Sequence, residues 1–393
     1  MFTRFTLPVA LLCLGYLVLE WQNGRAQMAD FRVYYDAANA LIHGDVLYGK
    51  AFGVSSGFYK YSPFACLPFI PLALLPYGVA SVLYYLLITA TIIFFSLRVA
   101  RAITGEKEEQ RFSIWLPIIT GIFLIDHLER ELHLGNINLF LLVLLYETYA
   151  QLKKEKEIQA GILYGLVLLF KPHFLLLLPY FIWKRKLKTL GTVAASVGVG
   201  LLVPSIVSGW SINLTHLKEW AIAMSDHNMA LQLSPNTIYG LINHLFLGGN
   251  AGSWLVLAVL AVTAISIALY IHRNDRLHGT TWSSEIRFKE YFLLVALVPN
   301  LVHTDTEHFM WVWPMLSLAL CAAMQKESKA RVLTIALLVI AFVPFALNSP
   351  DIVGKDLRLL FDEGGLGIAN LLILAGALIS PQSVINKVLR TKY

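Results

Sequence analysis

WLVLAVLAVTAISIALYI, from Trp254 to Ile271, holds eighteen residues without a charge. As a helix it would reach about 27 Å, close to the hydrocarbon thickness of a bilayer. Val79–Leu97 and Leu190–Val207 read the same way. Lipid offers backbone groups no hydrogen-bond partner, so each stretch is expected as a helix. Composition extends the reading to the whole chain. Of 393 residues, 57 % are hydrophobic and 14 % charged, with a mean hydropathy of +0.64; a soluble domain carries about 25 % charge. The fold class expected is an all-α polytopic membrane protein.

Apolar stretches near residues 6–21, 79–98, 113–126, 137–151, 159–170, 173–183, 189–208, 253–271, 290–302, 309–325, 331–348 and 365–380 predict about 12 transmembrane helices. Thr6–Trp21 lacks a small-x-small cleavage site before Glu20-Trp21-Gln22 and is expected as a retained first span rather than a signal peptide. With the N-terminus inside, the inner loops collect 22 of the 31 Lys and Arg residues, including Lys153, Lys154, Lys156 and Lys184–Lys188. That bias follows the positive-inside rule and calls for no nucleic acid partner. Both termini are then cytoplasmic in the cell membrane, and the segments 22–78 and 209–252 are extracytoplasmic loops of a single membrane domain, 1–393. Phe64–Pro76, with Pro68, Pro71 and Pro76, is short for a span and poor as a helix, so a re-entrant segment is expected.

Acidic residues gather in the outer loops: Asp30, Asp36 and Asp45, then Asp126, Glu129 and Glu131, then Asp226, Asp305 and Glu307. Chemistry is therefore expected outside. Arg32–His43 reads as an interfacial helix stopped by Gly44. Asp30 stands near its start, where helix capping alone would explain a carboxylate and a catalytic base would explain it equally. Tyr34 shares its face at i, i+4, whereas Asp36 points elsewhere and is taken as a substrate-binding residue. Lys171-Pro172-His173 interrupts two apolar stretches; an ionisable residue there is either functional or a snorkelling lysine. His303-Thr304-Asp305-Thr306-Glu307-His308 is dense in polar groups but lacks a recognised zinc spacing, so no metal is expected. Histidines 127 and 133 with Glu129, Arg130 and Glu131 read as a solvated loop, while Asn136 and Asn138 at a membrane edge should find partners. Cys13, Cys66 and Cys321 lie in apolar stretches with no ligand spacing.

These motifs, in this order, resemble glycosyltransferase family 87, polytopic transferases of GT-C architecture. The matching pieces are Asp30-Phe31 with Tyr34-Tyr35, Gly44 and Tyr48, Tyr61-Ser62-Pro63, Gly135-Asn136-Ile137-Asn138, Lys171-Pro172, Asn236, and Glu307-His308 after Pro299. The chain departs from the family's usual Tyr-Pro-Pro, Gly-Gln and Asp-His at positions 61–63, 135–136 and 307–308. The resemblance implies transfer of a hexose, typically mannose, from a polyprenyl-phosphate sugar donor to a lipid or glycan acceptor at the outer face, without a cofactor. It implies that Asp30 is the general base and that Tyr34, Asp36, Tyr61, Asn136, Lys171, Asn236, His303 and His308 contact donor or acceptor.

A transporter or flippase of a lipid-linked glycan would use similar outer groups. It would also need polar residues along a path through the bilayer, and the span interiors are almost free of charge. An O-antigen-type ligase or polymerase would share the donor but not the early Asp30 motif.

Overall fold

The computed structural model describes residues 2–53, 57–104, 110–230, 234–247, 253–279, 282, 285–302, 305–325, 330–348, 354 and 361–380. The helices in chain order are α1 (Phe2–Gln22), α2 (Ala29–His43), α3 (Ile70–Ala73), α4 (Tyr77–Thr104), α5 (Gln110–Phe123), α6 (Ile125–Leu134), α7 (Asn138–Lys153), α8 (Glu157–Phe170) and α9 (Leu178–Trp183). They continue as α10 (Leu187–Leu202), α11 (Ser205–Ser208), α12 (Trp210–Ala230), α13 (Ile238–Leu247), α14 (Ser253–His278), α15 (Glu285–Leu301), α16 (Trp313–Met324), α17 (Arg331–Ala346) and α18 (Leu366–Ile379). All twelve apolar stretches fall on helical segments. Among the described residues, four segments are long and apolar enough to cross a membrane: Phe5–Gln22, Tyr77–Thr104, Leu187–Ser208 and Trp254–His278. Their apolar side chains are largely exposed, among them Leu12, Val199, Leu257 and Leu269. Surfaces of that size and character are solvated by lipid, not water. This is a membrane protein.

The chain forms two compact units: Phe2–Phe94 with Glu129–Ala230, and Phe95–Leu128 with Leu231–Tyr393. In the first, α2 starts at the left-handed Met28 and ends at Gly44 (φ +70°), whose N–H turns back to Ala40 and Leu41. That is the stop expected from the glycine. A minimal antiparallel pair, β1 (Ala51–Phe52) with β2 (Gly57–Phe58), follows. Pro63–Phe69 is then a 3-10 turn leading into α3. Pro63 and Pro68 cannot donate backbone bonds, which favours a short, tight turn over a long helix.

Close packing of α8 on α10 supports the same unit. A Cβ on Gly161 would lie 2.6 Å from Thr192 Cβ, and one on Gly165 would lie 2.6 Å from Ser196 Cβ. Small residues four apart let the two backbones approach, as in membrane helix pairs generally. In the second unit α16 is buried along nearly its whole length. There Asn370 donates to Ala296 O (2.8 Å) and Asn300 Oδ1 (2.6 Å), tying α18 to α15.

One expectation needs correction. The stretch around residues 127–133 is not a solvated loop but the helix α6, with His127 and Glu131 fully buried. Its alternating charges suggest solvent; packing of one face overrides that. Within the segment 209–252, expected as an extracytoplasmic loop, the described residues include the helices α12 and α13, where Leu, Ala, Lys, Glu and Met favour helix.

Candidate active site

Gly135 sets the geometry of the site. Its φ is +68°, and a Cβ there would stand 2.6 Å from Phe31 Cβ and 2.8 Å from Met28 Cε. Only glycine allows the α6–α7 turn to approach the start of α2 so closely. The approach delivers the buried Asn136 to Asp30: Asn136 Nδ2 donates to Asp30 Oδ2 at 2.7 Å. Asn136 Oδ1 accepts from Ile137 N at 2.8 Å and from the Tyr34 hydroxyl at 3.4 Å. Tyr84, stacked on Phe31 with ring centroids 4.4 Å apart, donates to the Asn136 carbonyl at 3.1 Å. The loop is thus fixed at backbone and side chain alike.

Asp30 lies in the first turn of α2 and is partly exposed. The N-cap position is Met28, which carries no side-chain cap bond. Both the helix N-terminus and the Asn136 amide favour negative charge at Asp30. The Tyr34 hydroxyl meets the Tyr61 hydroxyl at 3.1 Å. Burial first, then the fields of Tyr61 and Asp30, push the Tyr34 phenol well above its ordinary range, so it stays protonated. Tyr61 is fixed in turn by Tyr48, which donates to its carbonyl at 2.7 Å.

Lys171 completes the cluster. Pro172 cannot continue α8, and it drives Lys171 into an extended conformation (φ −131°, ψ 94°). The buried Nζ donates to Asn138 Oδ1 at 2.7 Å and sits 5.9 Å from the centre of the Tyr61 ring. Ser62, where the family usually has proline, donates to Leu169 O at 2.5 Å. It thereby satisfies one of the carbonyls left open at the end of α8.

The structure therefore brings together Asp30, Tyr34, Tyr61, Asn136 and Lys171, residues spread over 142 positions of sequence. Asp36 is directed elsewhere, to Arg32 Nε at 2.8 Å, and the Arg32 guanidinium lies over the Tyr77 ring. Glu131, expected in a solvated loop, belongs to the cluster, and Asn138 finds partners there as expected. Glu131 Oε1 accepts from Leu139 N at 2.7 Å, and Oε2 lies 3.4 Å from Asn138 Nδ2. The signal was the helix start at Asn138, whose first N–H groups need an acceptor.

Asn236 and His308 belong to the second unit. Asn236 Oδ1 accepts from Gly367 N at 3.0 Å, and its carbonyl accepts from Asn300 at 3.3 Å, so it anchors the start of α18. His308 is buried, with Nδ1 3.1 Å from the Asp305 carbonyl. Ligand atoms of Asp305, Glu307 and His308 lie within 4.8 Å of one another, a grouping compatible with a cation. His303 lies outside the described residues.

A helical membrane protein with a carboxylate, phenols and a buried ammonium in one cluster fits an enzyme acting on a polar, anionic group. The chain belongs to glycosyltransferase family 87, whose family model matches residues 58–285. It is a glycosyltransferase. Two curated mycobacterial proteins are similar to it. One is the polyprenol-phosphate-mannose-dependent alpha-(1-2)-phosphatidylinositol pentamannoside mannosyltransferase of Mycobacterium tuberculosis (strain CDC 1551 / Oshkosh), 27 % identical over 82 % of this chain and 72 % of the relative. The other is the polyprenol-phosphate-mannose-dependent alpha-(1-2)-phosphatidylinositol mannoside mannosyltransferase of Mycolicibacterium smegmatis (strain ATCC 700084 / mc(2)155), 26 % identical over 80 % of this chain and 75 % of the relative. No solved structure matches.

Proposed function

We propose that the protein transfers mannose from a polyprenyl-phosphate donor to a hydroxyl of a lipid or glycan acceptor at the extracytoplasmic face of the cell membrane. The relatives' named donor supports the substrate class. The observation that carries the reaction is the hydrogen-bonded placement of a partly exposed Asp30 in the same cluster as a buried Lys171. In this reading Asp30 takes the proton from the acceptor hydroxyl as its oxygen attacks the anomeric carbon. The bond from that carbon to the phosphate oxygen breaks, polyprenyl phosphate leaves with the electron pair, and configuration inverts in one step. Lys171 stabilises the charge that develops on the phosphate. Tyr34 and Tyr61 offer hydroxyls to the sugars. Asn236, Asp36, His303 and His308 are kept as substrate-contacting residues on the family resemblance alone.

One hairpin supports this sidedness. Helix α7 begins at the site with Asn138 and ends at Lys153; α8 begins after Lys156 and returns to Lys171. Lys186 joins the far end through Glu155 (2.8 Å) and Glu157 (3.2 Å). The Lys-rich turns thus lie about 24 Å along α7 from Asn138. If they are cytoplasmic, as positive charge favours, the Asp30 cluster is outside. About twelve spans in a GT-C-like arrangement accord with this. Pro63–Ala73 is broken by prolines and is read as re-entrant, because a crossing there would invert the orientation downstream and turn the charge bias unfavourable.

The test uses purified full-length protein in lipid nanodiscs with polyprenyl-phosphate mannose and a panel of envelope lipids. Mannosylated lipid should form with wild type and not with Asp30→Asn. Equal product from both would remove Asp30 as the base.

A further inference from the structure

We propose that Glu131 is a positioning residue for donor-phosphate binding: it fixes the Asn138 amide so that Oδ1 faces Lys171. The inference rests on the reading of Lys171 as the phosphate-binding cation. Glu131 and Asn138 are each fully buried and Lys171 is nearly so. Asn138 stands between the two charges, with Oδ1 2.7 Å from Lys171 Nζ and Nδ2 3.4 Å from Glu131 Oε2.

An amide can be turned either way, and the wrong way would present N–H groups to an ammonium. A carboxylate is acceptor-only, so Glu131 admits only the orientation with Nδ2 toward itself. Its other oxygen is held by Leu139 N at 2.7 Å, which fixes the carboxylate to the first turn of α7. The arrangement therefore does two things. It aims a carbonyl dipole at Lys171, and it places a full negative charge behind that dipole, in a dry environment where both interactions are stronger than in water. The ammonium is thereby held in one place instead of sampling several rotamers. For a phosphate donor the gain is preorganisation of the binding cation.

A helix cap alone would need only the bond to Leu139 N, and glutamine supplies that bond as well. What glutamine cannot do is accept from both Leu139 N and Asn138 Nδ2 through separate oxygens. With Glu131→Gln, Oε1 serves Leu139 and Nε2 confronts Asn138 Nδ2. The Asn138 amide then reverses and turns its N–H groups toward Lys171. Replacing Asn138 by aspartate in that background removes the conflict, because the new carboxylate accepts from the glutamine and pairs with Lys171.

Donor KM and kcat are measured on reconstituted full-length protein with polyprenyl-phosphate mannose as the varied substrate. Glu131→Gln is expected to raise donor KM about tenfold, the scale of one charge-assisted hydrogen bond, with kcat changed little. The Glu131→Gln/Asn138→Asp double variant should recover most of that loss. Asn138→Leu keeps the Glu131 bond to Leu139 and should still raise donor KM. A wild-type donor KM in Asn138→Leu, or no recovery in the double variant, overturns the positioning role. Lys171→Met separates the two levels. If it leaves donor KM unchanged, Lys171 is not the phosphate cation and both readings fall; if it raises donor KM while Asn138→Leu does not, only the Glu131 inference falls.

Discussion

Asn136 Nδ2 donates to Asp30 Oδ2 at 2.7 Å, joining two residues 106 positions apart. The same amide accepts from Ile137 N at 2.8 Å through Oδ1. Reversing it would break both bonds and turn an oxygen toward a carboxylate. The Asp30 carboxylate is therefore met by a donor of fixed orientation, in a residue that is itself buried. Such a support would hold the proposed base in place while leaving it able to accept a proton.

Asp30→Asn is expected to lower kcat by about 10²–10⁴-fold, the usual loss for a missing general base, with the protein still folded. Asn136→Ala should cost about tenfold by releasing Asp30 from its donor. Asp36→Asn should stay within a few-fold of wild type, because its partner is the half-exposed Arg32 and such surface pairs contribute about 0–1 kcal/mol. Steady-state rates on equal amounts of folded protein check the series. A larger loss in Asp36→Asn than in Asp30→Asn would reverse the assignment of the two aspartates.

Gly135→Ala should both destabilise and inactivate. The left-handed backbone costs about 1–2 kcal/mol for a residue with a Cβ. The contacts at 2.6 and 2.8 Å with Phe31 and Met28 add overpacking of about 1–3 kcal/mol unless the turn retreats. Retreat carries Asn136 away from Asp30, so activity should fall further than the loss of folded protein explains. The thermal midpoint and the rate per folded molecule are the measurements. Wild-type values in both would mean that the close approach is not needed.

The parts of this molecule that follow local rules were legible in the sequence. Gly44 stops α2 and Pro172 ends α8, each by its own backbone constraint. Tyr34, four residues after Asp30, reaches the Asn136 amide that also holds Asp30, as helical spacing required. Glu131 was not legible. In Ile-Asp-His-Leu-Glu-Arg-Glu-Leu-His-Leu its neighbours are mostly polar, and nothing local shows which side is buried. Its partners are eight and seven residues away in the next helix. The convergence of Asn136 on Asp30 and of Lys171 on Asn138 is likewise tertiary, and depends on a glycine turn and a proline break acting together. The helical character of α12 was hidden by its mixed polarity, which resembles a loop until propensity is summed along it.

Topology can be tested independently of chemistry. Single cysteines at Lys184 and Lys188 should be blocked by membrane-permeant reagents only, whereas one at Lys60 should react with an impermeant maleimide from outside. The basis is the hairpin that separates the Lys-rich turns from the Asp30 cluster by the length of α7. Reaction of the Lys184→Cys variant with the impermeant reagent in sealed cells would invert the protein and place the cluster inside.

Chelation addresses the second unit. In the proposed reaction the leaving group is a phosphate that Lys171 would stabilise, so activity should survive EDTA and Lys171→Met should weaken donor binding. His308 offers two contrasting roles here. The Asp305 carbonyl 3.1 Å from Nδ1 can only accept, so Nδ1 carries the proton and neutral Nε2 is a lone pair. A lone pair cannot donate to phosphate; it can ligate a cation together with Asp305 and Glu307, whose ligand atoms lie within 4.8 Å. If the grouping holds a cation, removing that cation should remove activity. Activity is measured with and without EDTA for wild type and His308→Ala. Activity lost to EDTA and restored by Mg²⁺ or Mn²⁺, with more metal needed in His308→Ala, would sink the metal-free mechanism.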